Sequence, residues 1–518
     1  MKKAPLLELT IVVISIGAFL LYKLHDLTEP FAYGHTRWVD ATFYWFGMMH
    51  VELGLDMTGM MNVEGFTEND ELFYYRSFGP LTSLAHAGLL YVFNGEPWAV
   101  RIFPLLANLL NLVLLSRLGV MWLGQRSIVY LTVLYLGSPF LLKYGASDAG
   151  FLSFSMTLGL GGWVLYHRFL ENGRRSILYC SLICFAVGVG FSWQAGFMAL
   201  PIYLHMLFGN HPIAEKRRQI ALFSLLMAIS ILTVLVHQGV VTGDYLYPLR
   251  RVLERSDANV ATGTISWVGL VEIQGGRMWG YFGPVVCILS GYWLIRRVFK
   301  PALWSVEDIW IGGLFLTGSF LGLFIKQAAF YHDYLMLGFA PGLMLAAAAG
   351  GMDIKKDIGS LFTGKRLRNV GWVVASVLLI IHAALAIKSA RYFEIQEQND
   401  LNGGEAQVAY YLRDSLPANA VLVSDASSGY HTMVSTDNKV YGNLRPHLAY
   451  LTRRPVRFVE SVAELERVLF ETRQTGRVVA IVQLDYGNNA GGLNIPSEWI
   501  VTSQSFGKAR VVLVALNE

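Results

Sequence analysis

Ionisable residues wedged between long apolar runs are costly to hold in a bilayer and mark candidate sites of chemistry. The tightest such group is Lys326-Gln327-Ala328-Ala329-Phe330-Tyr331-His332-Asp333-Tyr334. A lysine, an imidazole, a carboxyl and phenols in so short a turn can bind an anion or hold a proton-transfer pair. The plainer alternative is a hydrogen-bonded turn in which Asp333 caps the next helix. A second group, Ser147-Asp148-Ala149-Gly150, puts an acid at the mouth of an apolar run. It also reads as a helix cap, with Ser147 or Asp148 favouring the helix dipole. A third lies in segment 23–97, which opens with Pro30-Phe31-Ala32-Tyr33-Gly34-His35-Thr36-Arg37-Trp38-Val39-Asp40. An aromatic helix from Ala41 to Leu53 follows, then Glu64, Glu68, Asp70 and Glu71, then Tyr74-Tyr75-Arg76-Ser77-Phe78-Gly79-Pro80. This alternation of aromatic and polar residues suits an interfacial helix, or a surface loop with interface anchors. Arg250, Arg251, Arg255 and Arg277 add positive charge between 237 and 280, able to grip a phosphate bidentately or to touch lipid headgroups.

The elements that must position these residues are mostly membrane spans. Hydrophobic residues make up 54% of the chain and charged residues 15%, where a soluble globule carries about a quarter charged. A spanning helix needs roughly 20 apolar residues. The runs that qualify are 6–22, 98–116, 128–144, 149–166, 177–191, 193–208, 220–236, 281–295, 308–325, 335–351 and 371–388, about eleven spans in all. Ser192-Trp193 divides a run too long for one helix, which therefore folds as a hairpin or tilts. The apolar stretch 80–93 is too short to cross and reads as a helix on the membrane surface. Basic residues orient the spans. Lys2 and Lys3, Arg117 and Arg126, Arg168, Arg174 and Arg175, Lys216 to Arg218, Arg296, Arg297 and Lys300, and Lys355 to Arg368 all fall on one side, which is the cytoplasmic one. The N-terminus is then cytoplasmic and reads as a retained first span rather than a cleaved signal peptide. Loops 23–97, 145–148, 237–280 and 326–334 and the tail 389–518 lie on the extracytoplasmic side of a bacterial inner (plasma) membrane.

The tail reads as a small α/β domain, with a helix at 404–415, a strand at Val421-Leu422-Val423, a charged helix at 461–473, and strands Val478 to Gln483 and Arg510 to Leu516. The expected organisation is a transmembrane domain over 1–390 and an extracytoplasmic domain over 391–518. The fold class is thus mainly α, polytopic, with a C-terminal α/β domain. Cys180, Cys184 and Cys287 all sit in apolar runs, which argues against disulfides and cysteine metal sites. Glycines such as Gly159, Gly161 and Gly162, or Gly188 and Gly190, lie inside spans, where small residues let helices approach. No P-loop, His-Glu-x-x-His or Gly-x-Ser-x-Gly pattern occurs, and no nucleic-acid partner is implied.

Over roughly residues 1–390 the chain resembles the membrane glycosyltransferases of the GT-C fold, in particular bacterial protein mannosyltransferase-type proteins and their aminoarabinose transferase relatives. The resemblance rests on a first span, a long outer loop with surface helices, and a second span entered through Trp98-Ala99-Val100-Arg101. Phe78-Gly79-Pro80-Leu81-Thr82-Ser83-Leu84 is similar to the family's Pro-Pro-Leu stretch with one proline lost. The family's second acidic residue falls on Asp148, and Phe330-Tyr331-His332-Asp333-Tyr334 is similar to a His-Asp-Tyr turn of a bacterial subgroup. Many members carry an acid early in the first outer loop, where Gly34-His35-Thr36-Arg37 stands here. Either His35 or Asp40 substitutes for it, or the acceptor chemistry differs, or the protein is inactive.

The resemblance implies transfer of a sugar from a polyprenyl-phosphate carrier to an extracytoplasmic glycan, lipid or protein. It implies a general base among Asp40, His35 and Asp148. Cations for the phosphate leaving group would come from Arg37, Arg76, Lys326 and Arg277, with His332, Asp333 and Tyr334 completing the substrate site. A divalent metal, Mg or Mn, is a further expectation through Asp40, Asp148 or His332. The rival readings are a non-catalytic scaffold that binds the lipid carrier and a transporter; the latter lacks the paired interrupted spans that inverted repeats leave.

Overall fold

The computed structural model describes residues 6–28, 35–66, 72–76, 79–147, 151–208, 216–256, 266–360 and 370–401, with shorter stretches between 408 and 514. In chain order the helices begin with α1 (Leu6–Thr28), α2 (His35–Leu53), the single turn α3 (Leu55–Thr58) and α4 (Leu81–Val92). Then come α5 (Pro97–Leu123), α6 (Ser127–Leu136), α7 (Pro139–Tyr144), α8 (Phe151–Asn172), α9 (Arg175–Phe191), α10 (Gln194–Phe208) and α11 (Lys216–Thr242). The series continues with α12 (Tyr247–Ser256), α13 (Trp267–Phe282), α14 (Pro284–Phe299), α15 (Val306–Ser319), α16 (Lys326–Tyr331), α17 (Ala340–Ser360) and α18 (Val370–Leu401). The strands are β1 (Asn62–Phe66), β2 (Leu72–Tyr75), β3 (Val421–Asp425), β4 (Tyr441–Gly442), β5 (Val456–Val459), β6 (Val479–Leu484), β7 (Ile500–Phe506) and β8 (Ala509–Val514), with α19 (Val462–Arg473) among them. Contacts divide the chain into two units, one of 1–27, 77–81 and 101–392, the other of 28–76, 82–100 and 393–518.

The first unit is the membrane part of a multi-pass protein. All eleven apolar runs are helical over most of their length. Among the described residues, five helices are long and apolar enough to span singly, and the bent pair α13–α14 makes a sixth. The others are shorter or meet end to end, as α6 and α7 do across Gly137 and Ser138. The span containing α17 is 94% buried, whereas those of α1 and α18 are 11% buried. Helix α17 is therefore the core, built from the alanines 346–349 that let neighbours close on it. Helices α1 and α18 turn apolar side chains such as Leu21 and Ile380 outward, as lipid-facing helices do.

Breaks in these helices have local causes. Ser192 is extended between α9 and α10, and Ser155 satisfies the freed backbone there, donating to the Ser192 carbonyl at 3.0 Å and accepting from Ala195 N at 2.9 Å. The break expected at Ser192-Trp193 is thus present. Helices α13 and α14 bend by 116° at Gly283, whose φ of +85° is open to glycine and whose successor, Pro284, starts the next helix. Beyond α15 the chain runs through a π-helical turn (320–324), α16 and a 3-10 helix (333–339) before α17. Gly318 and Gly338 bring the backbones of this stretch into contact: a Cβ on Gly318 would lie 2.6 Å from Gly338.

The second unit joins the first long loop to the C-terminal chain. Gly47 of α2 packs on α4, where a Cβ would stand 2.9 Å from Leu90 Cδ1. The β1–β2 hairpin is antiparallel, and β4 adds to it through Gly65–Gly442 and Phe66–Tyr441. The larger sheet has the order β5-β3-β6-β8-β7, parallel among β5, β3 and β6 and antiparallel across β6, β8 and β7. Leu465, Val468 and Leu469 of α19, at helical spacing, cover Val423, Ile481 and Val512 of the sheet. The expected tail strands and charged helix are present within a residue or two, and β4, β5 and β7 are additional. The helix expected at 404–415 is only partly within the described residues.

Candidate functional site

One polar group of the first unit gathers on Asp333. Tyr144 OH donates to its Oδ1 at 2.6 Å, Lys143 Nζ to its Oδ2 at 3.3 Å, and Tyr281 OH also donates to Oδ2. Lys143 Nζ further donates to Tyr281 OH at 3.2 Å and lies 4.8 Å and 5.4 Å from the ring centres of Tyr144 and Tyr281. Phe140 lies tilted against Tyr144 at 4.8 Å and stacks on Phe282 at 6.0 Å. The group is a cation, a carboxylate and two hydroxyls with an aromatic wall.

Local sequence fixes each part. Ser138 caps α7, accepting from Leu141 N at 3.3 Å, and Pro139 starts the helix. At the other end Asn108 Nδ2 donates to the Gly145 carbonyl at 3.1 Å and to Pro104 O at 3.0 Å. Asn108 Oδ1 accepts from Tyr135 OH at 3.2 Å and Ser153 Oγ at 3.3 Å. Lys143 and Tyr144 therefore sit on a short helix pinned at both ends.

Helix α13 presents Gln274, Arg277 and Tyr281 along one face, spaced by three and four residues. Gln274 Nε2 donates to Gly322 O at 2.7 Å and Ala329 O at 3.1 Å. Arg277 donates to Phe330 O at 2.5 Å, to Ala329 O, and to Gln274 Oε1 at 3.4 Å. These side chains satisfy carbonyls that the broken helix leaves without intrahelical partners. Such backbone is tolerated at membrane depth only where protein or a water-filled cavity receives it.

Of the sequence-predicted residues, Asp333 is thus at the centre of the group and Arg277 holds the backbone just before it. Lys326 lies over the Trp267 ring at 4.0 Å, and the His332 ring lies 5.1 Å from that of Tyr334, which is buried. Asp40 is fully buried on α2 of the second unit, and Arg76 follows β2 half-buried. His35 and Arg37 begin α2, but their side chains lie outside the described residues, as Asp148 does entirely. Among the described residues no three His, Cys, Asp or Glu side chains gather to hold a metal. Lys143, Tyr144 and Tyr281 were not anticipated. The available signal was a lysine inside the apolar run Phe140 to Tyr144.

The second unit has its own buried polar chain. His50 Nδ1 pairs with Thr58 Oγ1 at 2.8 Å and Nε2 with Ser83 Oγ at 3.1 Å, while Ser83 donates to Asn62 Oδ1. Burial lowers the His50 pKa from 6.5 to about 4, so the imidazole is neutral at pH 7. The chain ties α2, α3, β1 and α4 together.

No protein-family profile matches the chain, and no curated protein does. Among solved structures, it is similar to ArnT from Cupriavidus metallidurans bound to undecaprenyl phosphate, with a TM-score of 0.60 and 15% identity over 97% of both chains. It is also similar to the oligosaccharyltransferase of Archaeoglobus fulgidus in complex with Zn and sulfate, with a TM-score of 0.54 and 12% identity over 92% of this chain and 68% of that one. AglB from the same archaeon, in complex with an inhibitory peptide and a dolichol-phosphate, gives a TM-score of 0.51 at 12% identity over 92% and 69%. The fold is therefore the GT-C one, a helical membrane part followed by a C-terminal domain.

Proposed function

We propose that the protein is a membrane glycosyltransferase that moves a sugar from a polyprenyl-phosphate carrier to an acceptor outside the cytoplasm. The observation that carries this reading is the Asp333 group. A lysine and two phenol hydroxyls converge on one carboxylate at broken helices, donors of the kind a lipid-linked phosphate requires. The fold supports it, since the similar structures hold undecaprenyl phosphate in one case and dolichol-phosphate in another. The alternation of basic loops puts the 145–148 and 326–334 turns and the tail on the extracytoplasmic side of the inner membrane. Nucleotide sugars do not reach that side, which calls for an exported lipid-linked donor.

In the transfer, the acceptor hydroxyl oxygen bonds to the anomeric carbon while the bond from that carbon to the phosphate oxygen breaks. The polyprenyl phosphate leaves with the electron pair. Lys143, Tyr144 and Tyr281 would stabilise that oxygen, and Arg277 would hold the 329–330 backbone that frames the group; Lys326, Arg76 and Arg37 are further cation candidates, and His332 and Tyr334 further contacts. The acceptor proton passes to a general base, for which the sequence offers Asp40, His35 and Asp148 as candidates. A preorganised donor to a developing anion is worth about 10²–10³ in rate. A divalent metal would add charge stabilisation through Asp40, Asp148 or His332, but no step above runs through it.

The test is transfer of radiolabel from polyprenyl-phosphate sugars to membrane extract by the purified protein. We expect transfer by the unmodified protein and its loss in Asp40→Ala or Asp148→Ala. Transfer that survives both substitutions would remove these acids from the mechanism.

A further inference from the structure

Asp333 is held as a bound anion is held. Its two oxygens receive Tyr144 OH at 2.6 Å, Lys143 Nζ at 3.3 Å, and Tyr281 OH. These donors belong to elements anchored without Asp333. Helix α7 is pinned by Ser138 and Asn108, and the Tyr281 face of α13 by the Gln274 and Arg277 bonds to carbonyls 322, 329 and 330. Asp333 itself is the first residue of a 3-10 helix after the extended His332, so its carboxylate reaches these donors from a separate element. The Asp333 side chain is 16% exposed and that of Lys143 23%, so neither charge is fully enclosed.

We infer that Lys143, Tyr144 and Tyr281 form an oxyanion site for a phosphate ester, and that the Asp333 carboxylate is its resident anion, exchanged when the phosphate binds. The source of that phosphate, a lipid carrier, rests on the function proposed above; the exchange does not. Carboxylate and phosphate oxygens accept the same ammonium and hydroxyl donors. Two anions cannot share one lysine and two phenols, because like charges a few ångströms apart repel strongly in a poorly solvated site. In the absence of donor, the carboxylate keeps the part-buried ammonium paired, which an unpaired cation there would not tolerate. Phosphate binding then displaces the Asp333 carboxylate by rotation of its side chain, while the buried residues 334–339 stay packed. No bond is made or broken in the exchange.

The prediction runs against the usual effect of deleting a site residue. Asp333→Asn removes the competing charge and keeps the shape, so affinity for phosphate should rise on the order of tenfold or more. Binding of undecaprenyl phosphate, and separately of inorganic phosphate, would be measured on the purified full-length protein in nanodiscs. Asp333→Ala, as a second variant, should give the same direction, and Lys143→Gln should weaken both ligands at least tenfold. Unchanged or weaker binding of undecaprenyl phosphate in both Asp333 variants would overturn the exchange and make Asp333 an orienting partner of the tyrosines. If the unmodified protein binds inorganic phosphate, with the Asp333 gain, but not undecaprenyl phosphate, the exchange stands and the lipid donor falls. If it binds undecaprenyl phosphate with an affinity that Asp333→Asn does not raise, the donor reading stands and the exchange falls.

Discussion

Asn108→Ala separates the support of α7 from its chemistry. In the structure the Asn108 side chain makes four hydrogen bonds among buried helices: to Pro104 O and Gly145 O as donor, and from Tyr135 OH and Ser153 Oγ as acceptor. Side-chain hydrogen bonds within membrane bundles average about 0.6 kcal/mol each. Losing four gives about 2–3 kcal/mol, with the two hydroxyls and the Gly145 carbonyl left to find new partners. Equilibrium unfolding of the reconstituted protein in mixed micelles would measure that loss. Hydrogen exchange would show where it falls, because release of the Gly145 carbonyl should raise exchange at the C-terminal end of α7, over 144–147. Thr157→Ala is the control. It removes bonds of Thr157 Oγ1 to Asn111 Oδ1 and Ser153 O, both at 2.8 Å, and should leave 144–147 unchanged. A loss under about 0.5 kcal/mol with unaltered exchange would refute the view that Asn108 fixes α7.

Other consequences follow from the same contacts. Lys143→Met should lower sugar transfer about a hundredfold by removing the cation at the leaving oxygen, measured as initial rate of label transfer. The His50 pKa lies below its unfolded value, so protons bind the unfolded chain first as pH falls. Stability of the second unit should be fully present above pH 6.5 and fall by on the order of 3 kcal/mol as pH drops toward 4, read from the pH dependence of unfolding; His50→Gln should flatten that profile. Gly318→Ala pushes a methyl into the Gly338 backbone and should cost about 1–3 kcal/mol by overpacking, seen as a lowered unfolding midpoint, whereas Gly312→Ala, with open space around it, should not.

The spans were legible because hydropathy and punctuation agree. The run 177–191 is α9 (Arg175–Phe191), and the break at Ser192 is where the sequence puts it. The tail was legible where unbroken β-branched runs are buried, as in β3 and β6. Strand β7 was not, because Thr502, Ser503, Gln504 and Ser505 make it read as a polar loop. The run 308–325 is uniformly apolar, so nothing in it announces the π-helical turn at 320–324. The site divides in the same way. Asp333 stood out as a charge between apolar runs. Its partner Lys143 is 190 residues away and Tyr281 is 52, and no local pattern links residues that only the packing of α7 and α13 brings together.

The central claim is that the phosphate of a polyprenyl carrier enters the Asp333 group. A photoreactive undecaprenyl phosphate with its label beside the phosphate, crosslinked to the reconstituted protein and mapped by mass spectrometry, tests this most directly. The account predicts adducts within 143–144, 277–281 and 330–334, and their disappearance when excess unlabelled undecaprenyl phosphate competes. Competed adducts confined to other parts of the chain would contradict it.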